Sequence, residues 1–220
     1  LLMFFPYKDD NPRILFPFVT YGIIAVNVVI FLGQFLISGR DPQMGAALVF
    51  TFGFVPAEFN PLTIFTSMFM HGGFAHIIGN MWFLYIFGDN VESILGHVKY
   101  FIFYLACGVG SALAQFIIES TSQVPMIGAS GAIAGVLGAY MIRFPKARVH
   151  VLAVLFIFIT TFVVPAQIVL GLWFLMQLTG GLGSLGVDTT GGVAWFAHIG
   201  GFIIGVTSLK YFQNFRIEKV

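Results

Sequence analysis

From Phe16 to Ile37 the chain runs without a single charged residue. Such stretches recur down its length, and a run of this kind is what crossing the hydrocarbon core of a bilayer requires, roughly 20 apolar residues for about 30 Å. Leu62–Gly88, Tyr100–Ile118, Ser130–Ile142, Val151–Leu178 and Thr189–Leu209 are the others. The pattern predicts an all-α membrane protein of six transmembrane helices, one domain over residues 1–220, with a kink at Pro165. The remaining sequence cannot supply a water-facing surface, because only 9% of residues are charged against about 25% in a soluble domain. Disorder, a disulfide scaffold and nucleic-acid binding are excluded together, since each needs polar surface, several cysteines or a basic patch. Cys107 lies alone in an apolar run and reads as a small filler between helices.

The basic residues orient the spans. With six crossings both termini share a side, which would hold Lys8, Arg13, Lys99, Arg143, Lys146, Arg148, Lys210, Arg216 and Lys219, leaving only Arg40 opposite. The positive-inside bias then places both termini in the cytoplasm. The first outer segment, Ser38 to about Met70, carries Phe50, Phe52, Phe54, Phe59 and Phe65 and reads as lying on the outer leaflet. Thr179–Gly192 is Gly-rich and reads as a flexible outer loop between the last two spans. A compact chain without a targeting extension fits a prokaryotic plasma membrane.

Polar groups within apolar spans are costly, so each asks for a reason. His71, His76 and Asn80 fall on the second span, Ser130 on the fourth and His198 on the sixth. Ser130 precedes Arg143 by 13 residues, roughly 20 Å at a helical rise of about 1.5 Å per residue. His198 precedes Lys210 by 12 residues, roughly 18 Å. Both spans run in the same direction, so the two side chains are expected at one depth. Gly131 and Gly135 on the fourth span, and Gly201 and Gly205 on the sixth, have the small-xxx-small spacing that lets helix backbones approach closely. Such an approach brings a serine within proton-transfer distance of an imidazole.

Gly128-Ala129-Ser130-Gly131 follows the polar stretch Ser120–Pro125, so Ser130 is expected where a loop becomes a helix. The N–H groups of a helix N-terminus lack internal acceptors and carry the positive dipole end, which suits an oxyanion. His76 and Asn80 are four residues apart, share a face, and both donate hydrogen bonds. A metal site is the competing chemistry for the histidines. His71 and His76 are five apart, however, and no HExxH pattern occurs, so neither metal nor other cofactor is expected.

In combination, His71-x4-His76-x3-Asn80, Gly128-Ala129-Ser130-Gly131 and Ala197-His198-x2-Gly201-x3-Gly205 resemble the rhomboid family of intramembrane serine proteases, in order and on the expected spans. The resemblance runs from about His71 to Gly205. It implies a six-helix rhomboid-like bundle and a catalytic Ser130–His198 dyad with no aspartate. It also implies an oxyanion site from His76, Asn80 and the Ser130 N–H, supported by His71 and Gly128, and no metal or nucleotide. The substrates implied are transmembrane segments of other proteins, entering from the bilayer past the second and fifth spans, where Trp173 and Phe174 are candidate gate residues. Two positions depart from the family pattern. Ala134 stands where many members carry an aromatic that packs on the catalytic imidazole, and Leu62-Thr63 stands where a Trp-Arg pair often anchors the outer loop. A proteolytically silent rhomboid-like protein that binds transmembrane helices is the alternative. A small transporter would call for acidic residues in mid-membrane, and none is placed there.

Overall fold

The structure is a computed structural model describing residues 2–155, 158–185 and 193–213. Arg216 and Lys219, both counted in the orientation argument, lie outside the described residues, as does most of the expected loop after residue 185. The fold is mostly helical. α1 (Phe18–Arg40), α2 (Pro42–Phe52) and α3 (Pro61–Thr66) are followed by α4 (Phe74–Leu95), α5 (His97–Ile118) and α6 (Ser130–Arg143), then α7 (Ala166–Ser184) and α8 (Trp195–Phe212). Three of these, α1, α5 and α7, are long and apolar enough to cross a membrane by length and composition.

The expectation of an all-α chain is corrected by a three-stranded antiparallel sheet: β1 (Leu2–Asp9), β2 (Arg148–Leu155) and β3 (Phe158–Pro165), in the order β1-β2-β3. Leu2 pairs with Leu155 and Asp9 with Val149, while Arg148 pairs with Pro165. The helix expected from Val151, α7, therefore begins at Ala166, and Pro165 is the residue before a helix instead of a kink within one. The physical reason lies in local composition. Val149, Val151, Val154, Ile159, Thr160, Thr161, Val163 and Val164 are β-branched, which favours a pleated surface. β1 supplies the hydrogen-bonding partner that a lone hairpin lacks. The Gly-rich stretch is corrected as well, since Thr179–Ser184 continues α7.

The helices pack around a main core, in which Tyr100, Tyr104, Phe103, Leu137 and Tyr140 are wholly buried, with a smaller cluster at Phe54, Ile64 and Ala112. Small residues set the closest approaches. A Cβ on Gly201 would sit 2.0 Å from the Gly131 carbonyl oxygen, and one on Gly205 2.0 Å from that of Gly135, so α6 and α8 meet backbone to backbone along the two Gly-xxx-Gly pairs. Cys107 of α5 fills the space beside Gly135, the filler role read for it.

Two acidic residues tie the far end of α4 to its surroundings. Glu92 is buried and accepts hydrogen bonds from the Val19 N–H (2.9 Å), the Thr20 N–H (2.8 Å) and the Thr20 hydroxyl (2.7 Å), capping α1. His97 Nδ1 lies 2.5 Å from Oε1, the same carboxylate oxygen that accepts the Val19 N–H. Asp89 pairs with Arg13 at 3.0 Å. Hydrogen bonds to a buried charge contribute about 1.5–3 kcal/mol each, so Glu92 is an anchor for the start of α1.

The segment between α1 and α4, expected as the first outer loop, is an ordered series of short elements. Asp41 caps α2 by accepting from the Gln43 and Met44 N–H groups at 2.9 and 3.1 Å. Asn60 caps α3 through the Leu62 N–H at 3.0 Å. In place of a Trp-Arg pair, the segment is held by paired backbone hydrogen bonds between Phe54 and Met126 (3.0 and 2.8 Å) and by Ser67, whose carbonyl accepts the Gly128 N–H at 2.8 Å. Phe54 packs beneath Phe59 and Phe116, while Phe50, Phe52, Phe59 and Phe65 present exposed rings.

β1 binds the sheet to the helices. Phe5 packs on Trp82 and Phe83 of α4, and the Trp82 indole N–H donates to the Pro6 carbonyl at 2.8 Å. Asp9 accepts from the Tyr140 hydroxyl of α6, whose oxygen in turn accepts from Asn11. Burial raises the Asp9 carboxyl from 3.8 to about 6, and the charge of Asp89 adds to the effect, against the opposing Tyr140 hydrogen bond. Between those two values the folded protein holds a proton that the unfolded chain has released, so stability falls as pH rises through this window. The thermal unfolding midpoint in detergent is expected to drop between about pH 4 and pH 6, with Asp9→Asn flattening the slope. An unchanged slope in Asp9→Asn would assign the titration to another group.

Candidate active site

Ser130 is the first residue of α6, and α8 carries His198 one turn before Gly201. The backbone approach at Gly131 and Gly201 brings the two side chains together: Ser130 Oγ lies 2.8 Å from His198 Nε2. The close approach expected from the glycine spacing is thus present between these two side chains. α8 is itself held at its start by Gln115 of α5, whose Oε1 accepts the Ala197 N–H at 3.0 Å.

His198 is gripped from α7. Its Nδ1 is 2.8 Å from Gln177 Oε1, and Gln177 Nε2 donates to the Trp173 carbonyl at 3.2 Å. The Trp173 ring lies 6.0 Å from the imidazole at an interplanar angle of 37°. Ala134 is buried and supplies no ring, so the aromatic neighbour comes from α7 in place of α6. Trp173 and Phe174 both pack on α8, Trp173 6.2 Å from Phe202 and Phe174 stacked on Phe202 at 4.3 Å. Gln177 was not among the polar residues singled out from sequence; its spacing of four from Trp173 is the signal that could have found it.

On the other side of Ser130 stands α4. The Gly72 N–H donates to His76 Nδ1 at 3.3 Å, leaving the proton of a neutral ring on Nε2. That Nε2 faces Gly128, where an added Cβ would come within 2.6 Å of it. Gly128 has φ +118°, a conformation that favours glycine, so both space and backbone require the residue there. Asn80 Nδ2 is buried without a hydrogen-bond partner among the described residues and lies beside the same glycine. An unpaired buried donor is costly and suits a site that awaits an acceptor. His71 sits behind His76, its ring 5.1 Å away and edge-on. Gln34 of α1 clamps the His71 backbone, donating to its carbonyl at 2.7 Å and accepting its N–H at 3.2 Å.

These groups converge on one cavity of about 670 Å³, lined by His76, Asn80, Gly128, Ser130, Trp173 and His198 among others. It has polar groups on both sides of the serine and an apolar floor at Phe83, Ile133 and Leu137.

A family model described as the Rhomboid domain matches residues 58–214, which contain every one of these groups. The chain belongs to the rhomboid family. Among curated proteins it is 28% identical over 201 residues to the mitochondrial presenilin-associated rhomboid-like protein of Bos taurus, covering 86% of this chain and 47% of that one. It is 26% identical over 220 residues to the mitochondrial rhomboid protein 1 of Saccharomyces cerevisiae, covering 98% and 58%. It is 32% identical over 132 residues to the rhomboid protease GluP of Bacillus subtilis, covering 57% and 24%. The chain thus spans about half or less of the length of the rhomboid relatives first matched. Mitochondrial names among them run against the expectation of a prokaryotic plasma membrane.

Proposed function

We propose that this rhomboid chain is a serine endopeptidase acting within the membrane on transmembrane segments of other proteins. The observation that carries the reading is the 2.8 Å contact between Ser130 Oγ and His198 Nε2, facing the unpaired Asn80 donor across the cavity. Ser130 attacks the scissile carbonyl carbon while His198 Nε2 takes its proton. The negative charge developing on the carbonyl oxygen is met by His76 Nε2–H, Asn80 Nδ2–H and the first-turn N–H groups of α6. The C–N bond then breaks as His198 returns the proton to the leaving amine. Water entering the cavity releases the acyl group by the same proton path in reverse.

In this reading α1, α4, α5, α6, α7 and α8 are the six spans, with both termini in the cytoplasm and the exposed Phe50, Phe52, Phe59 and Phe65 resting on the outer leaflet. Substrate enters between α4 and α7, passing Trp173. The relative named as a protease supports hydrolytic activity, and no cofactor enters the steps above. Purified protein treated with a fluorophosphonate probe is expected to label covalently at Ser130, and Ser130→Ala and His198→Ala are expected to abolish labelling. Absence of labelling in folded wild type would favour the silent helix-binding alternative.

A further inference from the structure

We propose that Gln177 is the positioning residue for His198: its side-chain oxygen selects the ring tautomer that leaves Nε2 free to accept the Ser130 proton. The inference rests on the protease reading and deepens it. A neutral imidazole carries its proton on one nitrogen or the other, and only the Nδ1–H form presents a lone pair to the serine. The Gln177 amide is oriented by its second contact. Its Nε2 donates to the Trp173 carbonyl at 3.2 Å, and reversing the amide would set two oxygens against each other there. Oε1 must therefore face His198, 2.8 Å from Nδ1. An acceptor at that place requires the proton on Nδ1, and Nε2 is left as the acceptor 2.8 Å from Ser130 Oγ.

Gln177 is buried, at 6% exposure, so water does not compete for the contact. Trp173 serves twice from one turn of α7: its ring limits imidazole tilt at 6.0 Å while its backbone fixes the glutamine. The pair occupies the functional place left vacant by Ala134. A neutral amide does this work without a carboxylate, fixing orientation while adding no charge to the span.

The test uses the full chain in detergent with a single-pass transmembrane substrate, and histidine ring ¹⁵N NMR as a readout independent of cleavage. Gln177→Met keeps the volume and removes the acceptor. It is expected to lower kcat about 10- to 100-fold, as loss of an orienting partner commonly does, with KM within about twofold. The His198 proton is expected to shift away from Nδ1 in the same variant. Gln177→Glu keeps an acceptor oxygen and is expected to recover most of the rate, which a merely space-filling role would not produce. Should Gln177→Met fail to fold, Gln177→Asn withdraws the acceptor by one methylene and is expected to behave alike. Wild-type kcat and an unchanged Nδ1–H in Gln177→Met would overturn the proposal while leaving the Ser130 reading intact. If wild type neither cleaves nor labels but the tautomer still responds to Gln177→Met, the protease reading fails and the positioning contact stands.

Discussion

Ser130→Ala and His198→Ala are each expected to reduce cleavage of a transmembrane substrate by about 10⁴-fold or more, and the double variant to fall no further than either single one. A serine hydroxyl without a base is a poor nucleophile, and a base without the hydroxyl has nothing to deprotonate. In the proposed mechanism the 2.8 Å contact joins the two as one catalytic unit, so their losses do not add. A small residual rate above water is expected from His76, Asn80 and the α6 N-terminus, because they act on the carbonyl oxygen whatever attacks it. Comparing kcat/KM for the four proteins by gel and mass spectrometry checks this. A His198→Ala variant within tenfold of wild type, or two losses that multiply, would mean that the groups act separately.

Gly201→Ala is expected to lower kcat/KM at least about 100-fold, because a misplacement of about 1 Å at reacting groups costs on that order. The added methyl would sit 2.0 Å from the Gly131 carbonyl oxygen. Backbone cannot move aside as a side chain can, so α6 and α8 must part. Ser130 and His198 ride on those helices within a turn of the contact, and their hydrogen bond opens with them. Gly205→Ala meets the Gly135 carbonyl at the same 2.0 Å but one turn farther from the dyad. Both substitutions are expected to lower stability by about 1–3 kcal/mol, as overpacking does, with the larger kinetic loss at Gly201. Gly171 on α7 has nothing within 4 Å of its added Cβ, so Gly171→Ala controls for helix propensity. Equal kinetic losses at Gly201 and Gly205, measured beside thermal midpoints, would show a general loosening in place of a displaced dyad.

The relation between Ser130 and His198 was legible because it rests on quantities that sequence carries directly: distance along a helix from a charged end, and the spacing of glycines. His76 and Asn80 were legible for the same reason, since residues four apart share a helix face. The sheet was not. Arg148–Pro165 is almost continuously apolar, and apolar runs in strands and helices cannot be separated by periodicity alone. Its β-branched content and the pair Thr160-Thr161 were the available signals, but the partners in β1, the strand that completes the pairing, lie 140 or more residues away, as at Asp9 and Val149. Gln177 escaped because a glutamine in a span looks like any tolerated polar residue until its partner is known. The anchoring of the segment between α1 and α4 escaped too, as backbone bonds between Phe54 and Met126 leave no mark on side-chain identity.

The sheet has a mechanical consequence for the proposed entry of substrate between α4 and α7. β1 is stitched to α4 through Phe5, Pro6 and Trp82, and β3 runs without interruption into α7, so the two helices are laced together by two rows of interstrand hydrogen bonds. Parting them in parallel would break at least one of these rows along its whole length. The cheaper motion leaves the lacing whole and swings the opposite end of α7, much as a clothes-peg opens about its spring. Such a wedge is widest away from the sheet, so in the proposed function a passing helix would be admitted at the end remote from the strands.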